Sequence, residues 1–233
     1  EHNRRLPPVD PAKLDAVVLT HAHLDHCGRL PLLVKNGYRG RFECTDATAT
    51  LTEIILRDSA GIQVEDCARF NRRLRRGDEP CLEPLYDVED VERTIPLLDT
   101  MHYNETRKIA EGISVKFVDA GHILGSASVQ MVVNDGGRTI TIVFSGDVGV
   151  CGSPILRDPT TPTPADVVLL ESTYGDRDHK PLAPTTDELL SILQEAQIAG
   201  GKVLIPAFAV GRTQDLVFHM GEFVRTGKLR GIK

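Results

Sequence analysis

The sequence has no Cys-x-x-Cys pair, no excess of positive charge, and no apolar run of the roughly 18 residues that a membrane-spanning helix needs. Each absence removes a class of protein. The five cysteines, at positions 27, 44, 67, 81 and 151, are odd in number and scattered. That argues against a disulfide framework or a cysteine-ligated zinc knuckle, and for a reducing, cytoplasmic compartment. Acidic residues outnumber basic ones, 33 to 27, for a net charge of −6, so a binder held to nucleic acid by bulk positive charge is excluded. Gly-x-Ser-x-Gly, P-loop and Gly-x-Gly-x-x-Gly fingerprints are also missing, and serine hydrolases, P-loop triphosphatases and Rossmann enzymes drop away. The chain opens on Glu1-His2-Asn3-Arg4-Arg5, which is neither a signal peptide nor an initiator Met. Its 233 residues, 41% hydrophobic, suffice for one large domain, or for a domain and a fragment of another.

What is present organises itself around strands. Ala16 to Thr20 is short, apolar and β-branched, as a buried strand should be. Cys27 to Lys35 has helical apolar spacing and is closed by Asn36-Gly37. From about 46 to 105 the pattern is helical, with one helix over 47–60 and another over 88–98 entered through Asp87. Between them lie five arginines in the eight residues Arg69 to Arg76; for such a run a solvated helix face is the default and an RNA contact strip the alternative. Ile113 to Val118 alternates as a strand does. Ser126 to Val133 and Arg138 to Ser145 flank Asn134-Asp135-Gly136-Gly137, a hairpin signal. A proline-rich loop spans Pro154 to Pro164, and buried strands are expected at Val167 to Leu170 and Val203 to Ile205. Thr185-Thr186-Asp187-Glu188 reads as a capping box opening a helix that ends at Gly200-Gly201, and Gly211 to Val224 as a last helix. The order predicts a mixed α/β protein with helices on the outer faces of sheets.

One cluster dominates the chemistry. His21, His23, Asp25 and His26 crowd into six residues directly after a strand. In extended chain, residues two apart share a face, so His21 and His23 reach one point; once the chain curls into a helix, Asp25 and His26 project elsewhere. Such a segment can serve two neighbouring metals, and its nitrogen and oxygen donors suit zinc. A histidine-rich surface helix cap is the plainer alternative, weakened because four of six residues are metal-ligand types. His122, in Asp119-Ala120-Gly121-His122, and Asp147, in Ser145-Gly146-Asp147, also follow expected strands. Either one alone reads as a turn residue; together with the cluster, they place three sites at strand ends where loops can converge.

This combination resembles the metal signature of the metallo-β-lactamase fold. The resemblance implies an αββα sandwich, with His21, His23 and His122 on one zinc, Asp25 and His26 on a second, and Asp147 bridging the two. It narrows with Glu171-Ser172-Thr173-Tyr174-Gly175, similar to the acidic motif A of the β-CASP subgroup, and with Ile205 to Gln214, similar to the entry into the β-CASP domain. The wording is nearest the RNA-processing branch, which includes the endonuclease subunit of the cleavage and polyadenylation specificity factor. The implied activity is zinc-dependent hydrolysis of RNA phosphodiester bonds, endo- or 5′-to-3′ exonucleolytic, with two Zn²⁺ ions lowering the pKa of water toward about 7. Asp25 and Glu171 are the expected catalytic carboxylates, Asp25 orienting the water and Glu171 fixing a proton-donating histidine of the β-CASP side.

On this reading residues 1–205 form the metallo-β-lactamase-like domain, its first strands missing and with a helical insertion at about 46–105. Residues 206–233 begin a truncated β-CASP domain. The fragment would then lack the two later histidines, one the proton donor and one a ligand of the second zinc. RNA is the expected partner, no membrane is, and a homodimer stays open. A thioesterase or lactonase of the same sandwich, and a non-catalytic metal-binding scaffold, are the competing functions. Glu171 and the Ile205 to Gln214 segment argue against the first, and the intact six ligand positions against the second. His219, on a helix beside Leu216, Val217 and Met220, reads as a helix-packing or surface residue, His102 and Tyr103 as structural, His179 as near the cleft, and Cys27 as packing behind the ligands.

Overall fold

The computed structural model describes residues 5, 6, 8–74, 81–178 and 180–230. The chain folds as β1 (Ala16–Val18), α1 (Leu24–Cys27), α2 (Leu30–Lys35), β2 (Arg41–Cys44), α3 (Asp46–Leu74), α4 (Val88–Thr94), β3 (Leu98–Thr100), β4 (Thr106–Ala110), β5 (Ile113–Asp119), β6 (Ala127–Asp135), β7 (Arg138–Phe144), β8 (Val167–Leu169), α5 (Leu182–Ala199) and α6 (Arg212–Arg225). The strands form two sheets. One is parallel, in the order β1-β2-β3; the other runs β4-β5-β6-β7-β8. In the second sheet β4 to β7 are mutually antiparallel neighbours, and β8 pairs parallel to β7.

Two apolar cores define the layers. Between the sheets, Met101, Val115, Phe117, Ala127 and Val129 pack with Val18, Met131 and Phe144. On the other side of the parallel sheet, Phe42 and Cys44 meet Leu30, Val34, Leu56, Ala60 and Val91 of the helices. This is the expected mixed α/β arrangement on two facing sheets, with α2, α3 and α4 covering the first. The hairpin also forms as expected: Asp135 pairs with Arg138 across the two-residue turn Gly136-Gly137.

Several local expectations are corrected. The helix expected over 27–35 is two helices, because Pro31 cannot donate into a continuous helix and instead sits in the first turn of a new one. The helix over 88–98 stops at Thr94: Pro96 turns the chain through a 3₁₀ turn at Ile95–Leu97 and into β3, so the 46–105 segment contributes a strand to the first sheet. β2 has no counterpart among the expected strands; its Glu43, on the face away from Phe42, is buried although polar and is held by Arg107 at 3.0 Å. α3 runs on to Leu74 rather than ending near 60 and so takes up the first half of the arginine run.

The later part diverges most. β8 forms, but as the last strand of its sheet with Val168 58% exposed, and α5 has no buried residue. The strand expected at Val203 to Ile205 does not form, and Leu204 is almost wholly exposed. α5 begins at Leu182, since the Thr185 and Thr186 hydroxyls donate back to the Pro181 and Leu182 carbonyls instead of capping. Among the described residues no helix is long and apolar enough to cross a membrane.

Candidate metal centre

Strand direction assembles the site. β5 and β7 both run antiparallel to β6, and β8 runs parallel to β7, so β5, β7 and β8 leave the sheet at one end. The loops following them carry His122, Asp147 and Glu171 respectively. The first sheet is joined to the same end by the Ala127 N–H, which donates to the Thr20 carbonyl at 2.8 Å. His21 therefore enters beside the His122 and Asp147 loops. It does so with its side chain completely buried.

The donor atoms converge closely. His23 Nδ1 lies 3.2 Å from His21 Nε2 and 3.1 Å from His122 Nε2. One carboxylate oxygen of Asp147 is 3.7 Å from His21 Nε2 and 3.4 Å from His122 Nε2. One ligand atom from each of His21, His23, His122 and Asp147 falls within 4.8 Å of all the others. The second Asp147 oxygen is 3.4 Å from His26 Nε2, and Asp25 reaches the same nitrogen at 3.6 Å from an exposed position. The four-residue group and the Asp25–His26 pair thus meet through the two oxygens of one carboxylate.

Burial shapes the charge state. Desolvation, reinforced by the neighbouring His26, His122 and His23, pushes His21 down to about 2. Desolvation also lowers His122, against the opposing pull of Asp147. Burial thus favours the uncharged, metal-binding form of His21 and His122, and a set of three imidazole nitrogens with one carboxylate oxygen fits a divalent metal such as zinc. His21, His23, His122 and Asp147 would hold it.

Backbone and hydroxyl groups hold the ligands in place. Thr20 Oγ1 lies 3.1 Å from His21 Nδ1 and 3.5 Å from His26 Nδ1, on the side of each ring away from Asp147. The His122 loop closes on the buried Ser126, whose hydroxyl accepts the N–H groups of His122 and Ile123 at 2.9 and 3.2 Å. Thr45 and Thr48, at the start of α3, both donate to the Gly125 carbonyl from below. The His122 and Asp147 loops touch at Gly149, whose N–H donates to Ala120; a Cβ there would lie 1.7 Å from the Gly121 carbonyl oxygen, so only glycine fits. Glu171 accepts the N–H of Val148 at 2.9 Å and of Thr173 at 3.3 Å, and these bonds hold its carboxyl below the usual range.

The remaining candidates lie apart. Cys27 is buried, donates to the Ala22 carbonyl at 3.2 Å, and burial pushes its thiol up to about 12, so it packs behind the histidines. His102 is exposed and faces Asp46. His219 stands on α6 against Phe218, and His179 is outside the described residues. Of the arginine run, Arg69 pairs with Asp66 and Arg72 is exposed, whereas Arg75, Arg76 and the side chain of Arg73 are outside the described residues. Thr20, Ser126, Thr45 and Thr48 had no sequence signal, since a hydroxyl next to a ligand has no periodicity or spacing of its own.

Comparison with known proteins agrees with this geometry. Residues 1–206 match the model of the beta-lactamase superfamily domain. The chain is 44% identical over 209 residues to Ribonuclease TTHA0252 of Thermus thermophilus, covering 90% of this chain and 43% of that one. It is 36% identical to the RNase J-like protein of Methanocaldococcus jannaschii, covering 97% and 48%, and 36% identical to the transcription termination factor FttA of Methanothermobacter thermautotrophicus, covering 92% and 32%. The chain thus spans less than half the length of these curated relatives. With its histidines and aspartate gathered where the strands end, and with nearly the whole of it matching the domain, this chain belongs to the beta-lactamase superfamily.

Proposed function

We propose that the protein containing this chain is a zinc-dependent ribonuclease of the β-CASP type, hydrolysing RNA phosphodiester bonds in a reducing, cytoplasmic compartment. The observation that carries the reading is the convergence of His21, His23, His122 and Asp147 within 4.8 Å, with His26 on the second oxygen of Asp147. The names of the relatives supply the substrate class: two of the three are called ribonuclease or RNase J-like. When bound, a pair of divalent metals supplies a water nucleophile at neutral pH and offsets the charge of the scissile phosphate.

This chain's residues would then divide the work. His21, His23 and His122 would hold the first metal, and Asp25 and His26 the second. Asp147, whose two oxygens face the two histidine groups, would serve both. Asp25, exposed at the rim, is free to orient the attacking water. Glu171, anchored by Val148 and Thr173, keeps its carboxylate ionised beside the site and orients the proton donor that the β-CASP side brings.

The test uses the full-length protein. Metal analysis should find zinc, lost in the double variant His21→Ala/His23→Ala, and end-labelled single-stranded RNA should be cut only by the metal-loaded wild type. A protein that hydrolyses a thioester or lactone but leaves RNA whole would refute the nuclease reading. Zinc retained by the double variant would refute the metal assignment.

A further inference from the structure

The segment from Ile205 to Gln214 is conspicuous in the sequence, yet the proposed chemistry makes no use of it. In the structure its residues 206–211 form a strap without helix or strand that passes against His23, whose ring faces Phe208, before α6 begins. The Val210 carbonyl oxygen lies 3.3 Å from His23 Nε2. A carbonyl can only accept, so this contact requires the proton of His23 on Nε2. In the neutral form, the one an imidazole needs to bind metal, a single N–H at Nε2 leaves Nδ1 bare. That is the nitrogen lying 3.2 Å from His21 Nε2 and 3.1 Å from His122 Nε2.

The strap is held in shape by the first turn of α6. Gln214 Oε1 accepts the Gly211 N–H at 2.7 Å, while its Nε2 donates to the Ala209 carbonyl at 2.9 Å. One side-chain amide therefore grips the backbone on both sides of Val210. Thr213 Oγ1 adds a bond to the Phe208 carbonyl at 2.6 Å. Gly211 has φ +94, and a Cβ on it would come within 3.0 Å of Ile123 Cγ2, next to His122. The strap is thus shaped by α6 and seated against the loop of another metal ligand.

We propose that the Phe208–Gly211 strap, gripped by Gln214, is the positioning element that selects the tautomer of His23 and so makes it bind metal through Nδ1. This rests on the reading of His23 as a ligand. Gln214 touches neither metal nor substrate and acts only through the Val210 carbonyl. The arrangement ties the ligand geometry of the first metal to the entry of α6, so a movement of α6 would be felt at His23.

The test compares wild type, Gln214→Met, Gly211→Ala and His23→Ala in the full-length protein. Gln214→Met keeps side-chain length and helix propensity while removing both grips. Two readouts apply: histidine tautomers by two-bond ¹⁵N–¹H correlation in the metal-stripped protein, and zinc dissociation constants by competition with a chromophoric chelator. Wild-type His23 should show a single tautomer protonated at Nε2. In Gln214→Met and Gly211→Ala the tautomers should mix and the zinc dissociation constant rise about 10-fold or more, the usual scale for losing an outer partner of a metal-bound histidine. His23→Ala should lose the first-site zinc, so that at most one ion per chain remains; if its zinc content and affinity match wild type, the ligand reading fails and the strap proposal with it. If His23→Ala loses that zinc but Gln214→Met keeps both the wild-type tautomer and affinity, the strap proposal alone is overturned.

Discussion

Glu171 accepts the backbone N–H of Val148 at 2.9 Å, one residue beyond Asp147. The carboxylate that the sequence associates with a proton donor therefore also fixes the loop carrying Asp147. Glu171→Ala should weaken divalent-metal binding about 10-fold, and Glu171→Gln, which keeps an oxygen for Val148, should weaken it less. Its carboxyl sits below the ordinary 4.5, so the clamp is intact above that pH and fails only as pH falls through the lowered value. Metal titrations at pH 7 and on descent below 4.5 check both statements.

Thr20 serves two rings at once. Its oxygen lies near the Nδ1 atoms of His21 and His26, and two lone pairs can accept both N–H groups. Thr20→Val, matched in shape, should raise the zinc dissociation constant about 10- to 100-fold, while Thr20→Ser should stay near wild type. Chelator competition distinguishes them, and equal affinity for all three proteins would remove Thr20 from the site.

Ser126 closes the His122 loop from a fully buried position. Ser126→Ala strands the N–H groups of His122 and Ile123, at about 1–3 kcal/mol for each donor left without a partner. The midpoint of thermal unfolding should drop by about 2–4 °C per kcal/mol for a domain of this size. Calorimetry of the metal-free variant measures it apart from any effect on metal.

The cysteines should separate by reactivity. Burial pushes the thiols of Cys27 and Cys44 up to about 12, whereas Cys81 and Cys151 are exposed. Only the thiolate reacts, so at pH 8 a maleimide should label Cys81 and Cys151 within minutes and spare Cys27 and Cys44 until the protein unfolds. Peptide mapping after timed labelling reads the order directly.

The legible parts of the fold were those in which local chemistry and burial agree. β5 alternates because one face meets the inter-sheet core. The β6–β7 hairpin is written in its two glycines, and α6 starts at the glycine that the sequence marks. The misread elements are those in which a tertiary partner overrides local character. β2, for which the sequence offered no expectation, buries a glutamate that Arg107, from β4, holds by an ion pair. β3 and the end of α4 hinge on Pro96, and β8 is apolar yet exposed at the end of its sheet.

The absences that opened the sequence, of paired cysteines, of excess positive charge and of nucleotide-binding glycines, left the His21–His26 cluster as the dominant chemical signal. By itself the sequence determined the residue types of the candidate site and their order, because donor chemistry is carried by side-chain identity and short spacing. Only the tertiary structure decided that His122 and Asp147, some 100 and 125 residues on, share one point with that cluster, because strand direction decides which loops meet. It also decided which nitrogen of each histidine faces inward, since Thr20 and the Val210 carbonyl hold the other ring nitrogen of His21, His26 and His23. Those contacts span as many as 187 residues, a separation at which sequence pattern has no physical bearing on hydrogen-bond geometry.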